Sequence, residues 1–249
     1  MNQAEFQAST PYARFGSSVA IDAPVDARRA FIRQTYIHLA AAIYAFVALE
    51  WLFFSLGWET RALELIGNTP MAWLVVLVGF FVVSAVANRW AQSDTSPAMQ
   101  YAGLFLYVAA ESLIFLPLLA LAKSQTVDIQ GFREVGVIPA AGVMTLIIFG
   151  GLTAITFLTK KDFSFLGSFL RMAMFAAIAL IAVNLLFGFN LGIWFVWAMV
   201  VAASGYILYY TSNVMHHYRT DQHVAAALAL FASVALLFWY VIQLFMSRD

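Results

Sequence analysis

Cysteine is absent from the 249 residues. That excludes disulfides, thiolate metal sites and a cysteine nucleophile. Charge is nearly as scarce: 10% of residues are charged and 63% are hydrophobic, with a mean hydropathy of +0.84. A soluble domain carries about a quarter charged residues, so this chain cannot cover a water-facing surface. The bilayer is the alternative solvent. The remaining charges cancel at 13 of each sign, so nothing basic is available to attract nucleic acid. Catalytic signatures are missing too. There is no HExxH, no GxSxG and no Gly-rich phosphate loop ahead of a helix. The last apolar segment has no lysine, which rules out a retinal Schiff base there. We expect no catalytic residue, no cofactor and no metal site, hence not an enzyme.

What the chain has is apolar length. Seven segments, 31–56, 70–90, 98–122, 136–158, 166–187, 191–213 and 224–246, each approach the ~20 residues that cross a hydrocarbon core as a helix. They lack the alternation of a β-barrel strand. The sequence predicts an all-α integral membrane protein with seven transmembrane helices over residues 30–249. Residues 1–29 are polar and read as a mobile cytoplasmic tail, without the pattern of a cleaved secretory signal. With the N-terminus inside, inner segments hold Arg14, Arg28, Arg29, Arg33, Arg89, Lys160, Lys161, Arg171 and Arg219; outer ones hold Arg61, Lys123, Arg133 and Arg248. The positive-inside rule then puts the N-terminus inside and the C-terminus outside. Ten arginines against three lysines, with abundant alanine, point to a GC-rich bacterial genome, hence a bacterial cytoplasmic membrane. Gly188 to Asn190 is so short a connection that spans five and six must be antiparallel neighbours.

Glu111 is the sharpest single feature. It lies near the centre of the third span, where a charge costs on the order of 3 kcal/mol to insert, so an intramembrane acid is a functional candidate by default. Tyr107 lies one turn earlier on the same face, within hydrogen-bonding reach. Pro117 follows six residues later and is a candidate kink. The blander reading is a carboxyl that glues two helices. Glu50 lies under two turns from the outer end of the first span, where it reads best as a wet interfacial carboxylate beside Trp51. Asn184, near the outer end of the fifth span, reads as a helix–helix hydrogen bond before an ion ligand. His216, His217, Asp221 and His223 cluster in one inner loop and could sense pH, but no zinc spacing is present.

Three stretches carry a family resemblance. LTAITFLTKKDFSFLGSFL (Leu152–Leu170) resembles a signature of the Bax inhibitor family, the transmembrane Bax inhibitor motif proteins. SPAMQYAGLFLYVAAESLIFLPLL (Ser96–Leu119) resembles the third helix of bacterial members, glutamate included. GYILYYTSNVMHHY followed by DQHVAAALALFASVALLFWYV resembles the last two helices. The resemblance covers roughly residues 30–246. It implies a fold whose last helix is central and surrounded by the other six. It also implies association with pH-sensitive calcium leak, stress protection and, in bacteria, quality control of membrane proteins. In many relatives two aspartates form a proton-sensitive latch. Their positions fall here on Tyr210 and Ser233, which stay neutral over physiological pH. The implied partners are the lipid bilayer, calcium or protons, and other membrane proteins. The residues carried forward for an ion pathway or gate are Glu111, Tyr210, Ser233, Glu50 and Asn184. Tyr210 reads as an interfacial anchor before it reads as a gate. At 1.5 Å per residue, Glu111 stands roughly 20 Å and Ser233 roughly 14 Å from the inner ends of their helices. A polar network of Glu111, Ser233 and Tyr210 is therefore expected.

Overall fold

The computed structural model describes residues 18–68, 70–93, 96–129, 133–188 and 191–247. Residues 1–17, Asn190, Arg248 and the side chain of Arg133 lie outside the described residues, and with them most of the predicted tail.

The described chain forms eight α-helices and one β-hairpin: α1 (Val25–Ser55), α2 (Trp58–Asn68), α3 (Pro70–Ala91), α4 (Pro97–Ala122), β1 (Thr126–Ile129), β2 (Arg133–Gly136), α5 (Val137–Thr159), α6 (Leu166–Phe187), α7 (Gly192–His216) and α8 (His223–Met246). All but α2 are long and apolar enough to cross a membrane. The seven predicted spans are therefore present, most with ends shifted by one to three residues. Their alternation defines two faces of the bundle. The N face carries the start of α1, and the C face carries α2, the hairpin and the end of α8.

Three departures from the sequence reading have local causes. α1 begins at Val25, six residues before the apolar run. Pro24 precedes it, and Asp26 complements the positive end of the helix. His38, thirteen residues into α1, touches Tyr101 near the start of α4 and His223 at the start of α8. The first three turns of α1, with Arg28, Arg29 and Arg33, thus project past the N face. Second, α2 was not anticipated; its sequence WETRALELIGN is amphipathic rather than uniformly apolar. Its Glu59 meets Lys123, 3.9 Å away at the end of α4. Third, TVDI alternates polar and apolar residues and pairs antiparallel with REVG at the C face. Residues 18–24, inside the segment read as tail, are held in place. Ala20 N–H donates to the Tyr218 carbonyl at 2.9 Å, and Ala20 is fully buried.

α8 is the core. Of its most apolar stretch 78% is buried, against 11–56% for the other spans. It packs on α7, α1, α5 and α4, and more lightly on α3. Lipid tails are as apolar as leucine, so packing rather than water release joins these helices, and small residues let them approach. Ala225, Ala226, Ala227 and Ala235 are the buried small residues of α8. Gly103 does the same for α4: a Cβ there would lie 2.5 Å from the Ala87 carbonyl oxygen of α3. α4 runs unbroken through buried Pro117. α6 packs chiefly on α7, with a smaller contact to α3. That looser seat opens the site.

Candidate functional site

A cavity of about 950 Å³ lies among α3, α4, α6, α7 and α8. On α7 its wall runs from Tyr210 to Gly192, about 27 Å at the rise of a helix. On α8 it runs from Ala232 to Ser247, about 22 Å. The cavity therefore reaches from mid-membrane to the C face, where Gly192 and Ser247 are exposed. Most of the wall is apolar.

Glu111, Tyr210, Ser233 and Asn184 all line this one space. Among the described residues Glu111 is its only Asp, Glu, Lys, Arg or His. The residue is 7% exposed. Tyr107 donates a hydrogen bond to its carboxyl, as the one-turn spacing predicts. The second oxygen, Oε2, is buried with no hydrogen-bond partner. Tyr107 is held by the edges of Phe80 and Phe231, with ring centroids 6.1 Å away in each case. Ser233 is nearly fully buried and donates to the Ala229 carbonyl of its own helix at 2.8 Å. It contributes lone pairs to the cavity rather than a bond to Glu111 or Tyr210, so the expected network is a shared space. Ser84 of α3, which the sequence reading passed over, also lines it with a buried, unpartnered hydroxyl.

Tyrosines close the N-face end. The Tyr206 hydroxyl donates to the Leu170 carbonyl of α6 at 2.9 Å. Its ring stacks 6.0 Å from Tyr210, and Tyr209 meets Tyr210 edge-on at 4.9 Å. Tyr209 packs directly on Gly167, where a Cβ would sit 2.7 Å from the ring and displace it. The run of tyrosines that ends α7 is thus a clamp on the start of α6, and Tyr210 is both part of that clamp and part of the cavity wall.

Glu50 requires a correction. It is 7% exposed, both oxygens are buried without a hydrogen-bond partner, and it does not line the cavity. Trp51, the next residue, is 73% exposed. The 100° turn between neighbours on a helix sends one outward and the other inward. The loop cluster also resolves into separate pairs. His217 Nε2 lies 3.0 Å from Asp162, Arg219 pairs with Asp221 at 3.2 Å, and the His223 ring lies 4.9 Å from His38. Ser212 is the hub of the first pair: its hydroxyl accepts from Phe163 N–H at 2.8 Å and lies 3.3 Å from Asp162 Oδ1. This clasp ties the α5–α6 connection to the end of α7. Burial opposes ionisation of Asp162, but hydrogen bonds from Ser164 and His217 outweigh it and hold the carboxyl down at about 2.

Fold and site together define a seven-span helical membrane protein with a central last helix and a single-acid cavity. The family model described as "Inhibitor of apoptosis-promoting Bax1" matches residues 28–249, and the chain belongs to that Bax inhibitor family. It is 27% identical over 245 residues to Bax inhibitor 1 of Schizosaccharomyces pombe, covering 96% of this chain and 82% of the relative. It is 28% identical over 231 residues to Protein lifeguard 4 of Mus musculus, covering 92% and 89%. An uncharacterized protein of Campylobacter jejuni is 28% identical over 224 residues, covering 88% and 90%.

Proposed function

We propose that this protein is a non-enzymatic cation pathway, a leak for calcium or a route for protons, in a bacterial cytoplasmic membrane with the N face inside. The observation that carries the reading is Glu111: among the described residues, the one Asp, Glu, Lys, Arg or His of a cavity that extends from mid-membrane to the C face. Calcium favours six to eight oxygen ligands. Glu111, Ser84, Ser233 and Asn184 are a sparse set, which suits a weak transit site better than a store. Glu50 lies outside the cavity and has no place on the route. The tyrosine clamp closes the N-face end, and it contains no carboxylate to titrate.

The test is calcium and proton flux into liposomes holding purified protein, across mildly acidic to mildly alkaline pH, beside Glu111→Gln. Flux that falls about tenfold or more in Glu111→Gln is expected, the scale of a lost charged hydrogen-bonding group. Absence of flux from folded wild-type protein at every pH overturns the reading. A second reading is a non-conducting regulator that binds other membrane proteins in stress response and quality control. It is favoured by the tyrosine clamp, which closes the pathway without a proton switch.

A further inference from the structure

We propose that the cavity is also a binding site for a lipophilic amine, a single-chain amphiphile with one ammonium head. The inference uses the same space as the cation pathway but does not need conduction.

Four observations converge. First, the cavity has the size and apolar lining of a small-molecule site. Second, among the described residues its only Asp, Glu, Lys, Arg or His is an acid that is more than nine-tenths buried, with one carboxyl oxygen unpartnered. A buried acceptor of this kind is costly unless a donor meets it. The Ser84 hydroxyl is a second unpartnered group on the same wall. Third, aromatic rings contribute to the wall: Phe80, Tyr107, Tyr210 and Trp239 all line the cavity, and Phe80 lies 6.1 Å from Tyr107. Ring faces attract a cation and also pack against a hydrocarbon chain. A carboxylic acid or phosphate head would meet a second acid in Glu111 and find no Lys, Arg or His among the described residues of the wall. Fourth, the cavity is not sealed on the α3 side. Phe81 of α3 lines it and is 46% exposed. The contact of α3 with α6 is light, and a chain could enter between them.

The head would sit between Glu111, Ser84 and Tyr107, an ammonium N–H donating to Oε2. The chain would run along Ile178, Ile181 and Leu236 toward the C face. No covalent step is involved.

Equilibrium dialysis of tritiated dodecylamine against nanodiscs holding the full chain tests this, with dodecanol and dodecanoic acid as matched probes and protein-free nanodiscs as the blank. The expected result is a saturable component of one amine per protein, about tenfold tighter than the acid, the scale of one charged hydrogen bond. Glu111→Gln should bring the amine to the level of the alcohol, and Ile178→Trp, which fills the wall, should remove saturable binding of both. Ser84→Ala keeps the acid and should weaken the amine a few-fold, so the test holds even if Glu111→Gln does not fold. No saturable amine above the blank, or a preference for amine that survives Glu111→Gln, overturns the proposal. Flux is measured without amine, so loss of binding with intact flux leaves the pathway standing, and the reverse leaves the binding site standing.

Discussion

Glu50 and Glu111 are both 7% exposed, yet of the two only Glu111 lines the large cavity. The sequence distinguished them by depth alone and gave Glu50 the wetter place. An unpartnered buried carboxyl costs stability, and an apolar side chain of similar size should relieve that cost. Glu50→Leu is expected to stabilise the protein by about 1–3 kcal/mol, seen as a higher unfolding temperature in detergent. A lower temperature would mean that Glu50 has a partner. Asp162 makes the opposite case. Its carboxyl is held at about 2, below its ordinary 3.8, so its contribution is fully present above 3.8 and is lost as pH falls through about 2. Thermal scans should show wild-type protein losing stability across that acid window, with Asp162→Asn flatter there. Parallel curves would remove the clasp's role. Nothing in the sequence pairs Asp162 with His217, because the two stand 55 positions apart and meet only through the fold.

The spans were readable because an apolar run of twenty residues reports its solvent directly. Glu111 was readable for the same reason inverted: its cost makes it conspicuous. α2 and the hairpin were missed because neither touches the membrane core with a long apolar run. The cavity was missed because it is the result of a helix, α6, that packs on some neighbours more than others, and no local pattern records that. Ser84 is an ordinary small residue in a span until its wall is known. What the glycines do is likewise a matter of contact. Gly103→Ala would drive a Cβ into the α3 backbone, at the Ala87 carbonyl and the Ala91 N–H. Backbone yields less readily than a side chain, so a loss of about 1–3 kcal/mol is expected, measured by the same thermal scan. Gly103→Ser should do no better. An unchanged unfolding temperature would show that α3 and α4 can separate freely.

The molecule's orientation can be checked with unusual ease, since a chain without cysteine accepts single probes without background. Lys123 stands at the C face and Lys161 at the N face, both exposed. A membrane-impermeant maleimide should label Lys123→Cys in intact cells and Lys161→Cys only after permeabilisation. The reverse pattern would invert the proposed topology and put the tyrosine clamp on the outer side.

The encircled position of α8 also bears on how the protein is made. Of the described helices, the one on which five others pack is the last to leave the ribosome. The first six spans must enter the bilayer around a centre that does not yet exist, holding apart surfaces whose natural partner is still being translated. Assembly cannot proceed as a stack of finished pieces; it closes inward, on the final helix, in one late event. A nascent chain halted after α7 would be an open ring of helices, prone to capture a foreign segment in the place reserved for its own.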